Sequence, residues 1–234
     1  MAFNHRHDLG LYQMSKNPLK QKSSERPLLS AKNLSQAYEH KIILKDIDLE
    51  LWRGETITLV GANGSGKTTL LKVLAGLLKP RSGQIQKGPD FSGSSLFLPD
   101  HFFYEDLTLA ENLTLYSQLY QTDFQWKETL VKQLNLIPFL DEKVRHLSRG
   151  QKIRGALCRS FLPRVSIYFL DEPLTGLDSG SEENFIKLLH DLRSQEKTIL
   201  LATHQTQPLQ GLSDRWWKME KGRPVDFNPV WKTS

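Results

Sequence analysis

A single cysteine, Cys158, stands in 234 residues, so no disulfide can close within the chain and the small disulfide-stapled scaffolds are excluded. A reducing compartment suits it. No apolar run approaches the roughly 18 residues of a membrane-spanning helix, and the opening residues, with His5, Arg6, His7 and Asp8, lack the apolar stretch of a secretory signal. A cytoplasmic chain is expected. Internal repeats are absent, and 38% hydrophobic with 24% charged residues excludes a chain that is disordered throughout and supplies a sizeable core. The length fits one catalytic domain carrying an insertion.

A large body of one charge sign is also missing. The net charge is +5 and the isoelectric point about 9.2, which taken alone points to nucleic acid or a membrane surface. From Met1 to Pro27, however, five basic residues face two acidic ones, and from Arg215 onward five again face two, so the ends hold +3 each. Leu28 to Asp214 retains 21 basic and 22 acidic residues, a net of −1. No nucleic-acid partner is therefore expected of the body.

Residues 1–27 are polar and without apolar periodicity, and read as a flexible basic tail in which Met14 offers an alternative start. A domain is expected over residues 28–225, with a C-terminal tail over 226–234. Asp46 to Leu51 alternates polar and apolar as a strand with one wet face does, which predicts an antiparallel N-terminal sheet. Thr56 to Val60 reads as a strand, followed by a glycine-rich loop and by Leu70, Leu71, Leu74, Leu77 and Leu78 at helical spacing until Pro80. After a strand at Leu96 to Leu98, residues of about 100–162 read as a mainly helical insertion. Within it Thr108 and Glu111 give a capping-box signal, Trp126, Leu130 and Leu134 share a face that Pro138 closes, and Ser148 opens a further helix. Apolar runs at Val165 to Leu170 and Thr198 to Thr203 flank a helix carrying Phe185, Leu188, Leu189 and Leu192. Strands alternating with helices predict an α/β fold with a parallel sheet.

The sharpest chemical signal is Gly61-Ala62-Asn63-Gly64-Ser65-Gly66-Lys67-Thr68-Thr69. Its spacing lets backbone N–H groups converge on a phosphate at a helix N-terminus, with Lys67 on the β- and γ-phosphates and the Thr68 hydroxyl on Mg²⁺. A second signal is Ile167-Tyr168-Phe169-Leu170-Asp171-Glu172, an apolar strand that delivers two carboxylates where open α/β sheets bind ligands. Asp171 suits the metal shell and Glu172 the base that activates water.

Leu147-Ser148-Arg149-Gly150-Gln151 then resembles the signature motif of ATP-binding-cassette (ABC) ATPases, LSGGQ in its usual form. With the glycine-rich loop, the acidic pair, the Gly176-Leu177-Asp178 turn and His204 in the same order, the resemblance covers about Leu28 to Val225. It implies the phosphate-loop NTPase fold, a RecA-like parallel sheet with helices on both faces, joined to an N-terminal antiparallel β-subdomain and an inserted helical subdomain. It also implies ATP and Mg²⁺ as cofactors. Position by position it makes His204 the switch at the γ-phosphate and Asp178 a residue that communicates across a dimer. Ser148, Gly150 and Gln151 would face the nucleotide held by a second subunit. Tyr38 either stacks on adenine or packs as a sheet aromatic.

Two departures from the family pattern stand out. Arg149 replaces a glycine and sets a cation at a helix N-terminus, where the dipole opposes it by ~0.3–1 kcal/mol. Asp100 occupies the place of a glutamine, so it either joins the magnesium shell or has lost the water-sensing role, because a carboxylate only accepts. Of the aromatic run Phe102-Phe103-Tyr104, two uses are open, a contact with a membrane subunit or packing within the insertion. His5, His7 and Cys158 lack a metal-ligand framework.

The resemblance thus predicts the ATPase subunit of a transporter, working as an ATP-sandwiched homodimer on the cytoplasmic face of a membrane and bound to separate permease subunits. Short connections place it beside small exporter subunits such as the haem exporter of cytochrome c maturation. Two other readings stand beside this one: a soluble cassette ATPase of an assembly system such as iron-sulphur cluster biogenesis, and a nucleotide-dependent binding module with weak hydrolysis.

Overall fold

The computed structural model describes residues 26–99 and 103–229. Expectations placed on Met14, His5, His7, Asp100 and Phe102, and on nearly all of the basic tail, lie outside the described residues. In chain order the elements are β1 (Leu29–Tyr38), β2 (Lys41–Leu51), β3 (Thr56–Val60), α1 (Lys67–Leu74), β4 (Ser82–Lys87), β5 (Ser94–Phe97), α2 (Leu109–Leu119), α3 (Phe124–Gln133), α4 (Arg149–Phe161), β6 (Ile167–Asp171), α5 (Ser179–Ser194), β7 (Thr198–Ala202), β8 (Arg215–Glu220) and β9 (Arg223–Asp226).

Six strands form the main sheet in the order β5-β6-β7-β3-β8-β9. Its pairs are parallel except at the β8–β9 edge. Every residue of β3, β6 and β7 is buried, as strands covered on both faces must be, and this explains their continuous apolar runs. Alternation along β6 divides the core: Ile167 and Phe169 pack with Leu70, Leu71 and the small β-sheet, whereas Tyr168 and Leu170 pack with Leu157, Phe161 and Phe185. Helices thus lie on both faces of the sheet, and the α/β expectation holds. The second sheet is antiparallel, in the order β2-β1-β4, as the alternation in Asp46 to Leu51 predicts.

The helices stop sooner than leucine spacing suggests. α1 ends at Leu74 rather than near Pro80, because Gly76 takes a left-handed backbone (φ 78°). Gly76 N–H then reaches Val73 O at 3.1 Å and Leu77 N–H reaches Lys72 O at 2.9 Å, a Schellman closure. Leu77 is left 68% exposed. In the same way α3 closes on Asn135 (φ 51°), ahead of Pro138. The capping box at Thr108 forms as expected, with Glu111 N–H on the threonine hydroxyl at 3.1 Å and the Glu111 carboxylate on Thr108 N–H at 2.7 Å.

Candidate functional site

β3 and β6 run parallel on either side of β7, so their carboxyl ends deliver the glycine loop and the acidic pair to one edge of the sheet. Gly66 caps α1 with φ 106°, a backbone that side chains resist. Space is equally short there, since a Cβ on Gly66 would lie 3.1 Å from the Ile43 side chain and 3.2 Å from its carbonyl. From the first turn of α1, Lys67 folds back so that Nζ donates to Gly61 O at 2.8 Å and stands 3.8 Å from Glu172 Oε1. The loop and the second carboxylate are thereby joined through one buried ammonium.

Thr68 Oγ1 donates to Asp171 Oδ2 at 2.6 Å. The other oxygen of Asp171, Oδ1, is buried without a hydrogen-bond partner. Desolvation, together with the nearby Glu172 charge, raises the Asp171 pKa against the lowering effects of Thr68, Lys67 and Lys72. A buried carboxylate with one bare oxygen beside a threonine hydroxyl is the donor set that a hard divalent cation takes. The residues present therefore fit Mg²⁺.

Glu172 lies one residue beyond β6 in a left-handed conformation (φ 49°), with its N–H on Ala202 O at 2.8 Å. This turn carries its side chain across the end of β7. There Oε2 receives Thr203 Oγ1 at 3.1 Å and the His204 backbone N–H at 3.3 Å, and it bonds His204 Nδ1 at 2.9 Å. Thr203, fully buried, escaped the sequence reading because it stands as the last residue of an apolar run. A hydroxyl next to His204 was the available signal, and its role is to fix Glu172 while receiving Gln205 N–H at 3.0 Å.

The signature residues sit elsewhere on the chain. Ser148 caps α4 and forms a capping box with Gln151, whose side-chain oxygen accepts Ser148 N–H at 2.7 Å while its own N–H reaches Ser148 Oγ at 3.3 Å. Among the described residues, these side chains bond each other and none reaches the phosphate loop of the same chain. Gly150 faces the Gly176 turn, where a Cβ would come within 3.1 Å of Gly176 O. Asp178 caps α5 by accepting Ser181 N–H at 2.8 Å, and that bond lowers its pKa. Tyr38 is 49% exposed at the end of β1. Phe103 packs within the insertion, edge-on to Tyr116 and beneath the Arg159 guanidinium, whereas Tyr104 is 58% exposed. Asn63, Gly64 and Thr69 stay with the loop and α1, and Ser65 Oγ is buried without a partner. Replacing Ser148 with alanine removes one cap bond, and we expect a loss of about 1 kcal/mol in urea-determined stability.

Comparison with known proteins agrees with this geometry. The family model described as ABC transporter matches residues 44–175. An ABC transporter ATP-binding protein of Methanosarcina acetivorans is 34% identical over 88% of this chain and 42% of its own length. The chain thus spans less than half of that relative. The cytochrome c biogenesis ATP-binding export protein of Reclinomonas americana is 34% identical over 75% of this chain and 84% of its own. A solved ATP-binding subunit of an ABC transporter superposes with a TM-score of 0.76 at 29% identity, covering 84% of this chain and 88% of that one. By this match, and by the phosphate loop, acidic pair and signature it contains, the chain belongs to the ABC transporter family.

Proposed function

We propose that the chain binds and hydrolyses ATP as the nucleotide-binding subunit of an ABC transporter. The observation that carries this reading is the meeting of Lys67, Asp171 and Glu172 beside one glycine loop, with Glu172 fixed by Thr203 and His204. Backbone N–H groups from Gly61 to Thr69 would cradle the phosphates, and Lys67 would exchange Gly61 O for their oxygens. Thr68 and Asp171 would hold Mg²⁺, which when bound neutralises charge on the phosphates. Among the described residues no group of three or more His, Cys, Asp or Glu side chains gathers to hold a metal, so the remaining ligands would come from nucleotide and water. Glu172 would take the proton of the attacking water, with His204 beside the γ-phosphate.

Ser148, Gly150 and Gln151 lie apart from the loop of their own chain, which supports a head-to-tail homodimer in which they meet the partner's nucleotide and Asp178 faces the partner. Among the described residues no helix is long and apolar enough to cross a membrane. Separate permease subunits would carry the substrate. The likeness to the cytochrome c biogenesis export protein favours export, at the cytoplasmic face of the membrane. Purification of the tagged protein from detergent-solubilised membranes tests the assembly: a co-purifying multi-span protein is expected. A membrane-free complex would instead point to an assembly ATPase, and ATP-driven dimers without turnover to a binding module.

A further inference from the structure

The hairpin that packs on the phosphate loop carries a cation, Lys41, that none of the motifs accounts for. In the hairpin of β1 and β2, Gln36 pairs with Leu44 but Ala37 pairs with Ile42, so Ile43 is an extra residue on one strand. Such a bulge re-aims side chains. Ile43 and Leu44 both reach Gly66, with side-chain atoms 3.1 and 3.2 Å from where a Cβ would stand. Ile42 in turn is 63% exposed. Strand alternation then returns Lys41 to the side of Ile43, one strand repeat (about 7 Å) further from α1. Tyr38 is its direct cross-strand partner, so the two residues stand on one face of the hairpin, whose strand β2 also carries Ile43 and Leu44 against Gly66.

Neighbouring charges are spoken for. Glu220 is held by Lys218 at 2.8 Å and Asp46 by Arg223 at 3.1 Å. The β8–β9 turn touches the same stretch, since Lys45 N–H reaches Gly222 O at 3.0 Å. Glu39 and His40 stand in the hairpin turn, Lys45 further along β2 and Lys72 on α1.

We propose that Lys41 is a nucleotide-binding residue that contacts the phosphate chain on the ribose side of the loop, beside a base held at Tyr38. The inference rests on the ATP-binding reading above. With the β- and γ-phosphates in the loop and the base at Tyr38, the α-phosphate comes between them, within the span of an extended lysine. An exposed ammonium there adds a salt-sensitive attraction to phosphate and little to the uncharged nucleoside.

The test is equilibrium binding of ATP, ADP and adenosine to the full chain at two ionic strengths. For Lys41→Glu we expect the ATP and ADP dissociation constants to rise about five- to tenfold at low salt, less at high salt, with adenosine almost unaffected. Lys41→Arg should retain affinity. Lys127→Glu, a charge reversal on α3 away from the loop, should bind as the unaltered chain does, and unchanged circular dichroism shows that the variants fold. Equal ATP affinity in the Lys41→Glu and unaltered chains overturns the inference. An unaltered chain that binds no ATP overturns the nucleotide reading itself.

Discussion

Glu172→Gln is expected to reduce ATP turnover by ~10²–10⁴-fold while leaving ATP binding nearly intact. The reason is geometric. Oε2 accepts from the Thr203 hydroxyl and the His204 backbone N–H, and His204 Nδ1 lies 2.9 Å away, where it can donate in the Nδ1–H tautomer. A glutamine oxygen can accept both, so the shape of the site and the left-handed turn at residue 172 survive the change. What disappears is an oxygen able to take a proton from water. The cation at Lys67, 3.8 Å from Oε1, then faces an uncharged amide there, and ATP-bound dimers should accumulate. Phosphate release and equilibrium ATP binding, measured on the same preparation, separate the two effects. Turnover within a few-fold of the unaltered chain would remove Glu172 from the base role, and weakened binding with intact turnover would assign it to holding nucleotide.

Much of this site could be read before any coordinates, for a physical reason. A phosphate loop needs glycines at fixed intervals, a lysine and a hydroxyl, all within nine consecutive residues, so the pattern is local and visible. The parallel sheet was equally legible, because burial on both faces writes Ile167 to Leu170 and Thr198 to Ala202 as unbroken apolar runs. Long-range partners were less so. The hold of Thr203 on Glu172 joins residues 31 apart, and only the placement of β6 beside β7 brings them together. Helix ends are less legible where leucines continue past the stop: Leu77 prolongs the periodicity of α1 yet lies exposed after Gly76 turns the chain. β8 was hidden for the opposite reason. Its Arg215 and Lys218 read as part of a basic end, although Trp217 is fully buried and the strand pairs in parallel with β3.

That same basic residue, Arg215, supports the second large prediction. Glu55 is wholly buried one residue before β3 and receives Trp52 N–H at 2.6 Å; Arg215 Nη1 stands 3.2 Å from its Oε2 and the guanidinium lies over the Trp217 ring. Burial pushes the Glu55 pKa up from 4.5 to about 7, and the Arg215 charge is the largest opposing influence. Because the folded chain holds this proton more tightly than the unfolded one, the stabilisation is complete below pH 4.5 and is lost as the pH rises through about 7. The loss is on the order of 3 kcal/mol, and the difference in urea stability between the unaltered chain and Glu55→Gln should follow it. Arg215→Met removes the compensating cation. At pH 8 it should then cost more than at pH 5, by up to ~1.4 kcal/mol, because Glu55 without that cation must hold its proton to stay in the core. At pH 5 this added cost should be absent, because Glu55 is protonated there in both chains. Combining Arg215→Met with Glu55→Gln should recover most of the stability at pH 8. An equal loss for Arg215→Met at both pH values would mean that the guanidinium acts through its packing on Trp217 and not through the charge of Glu55.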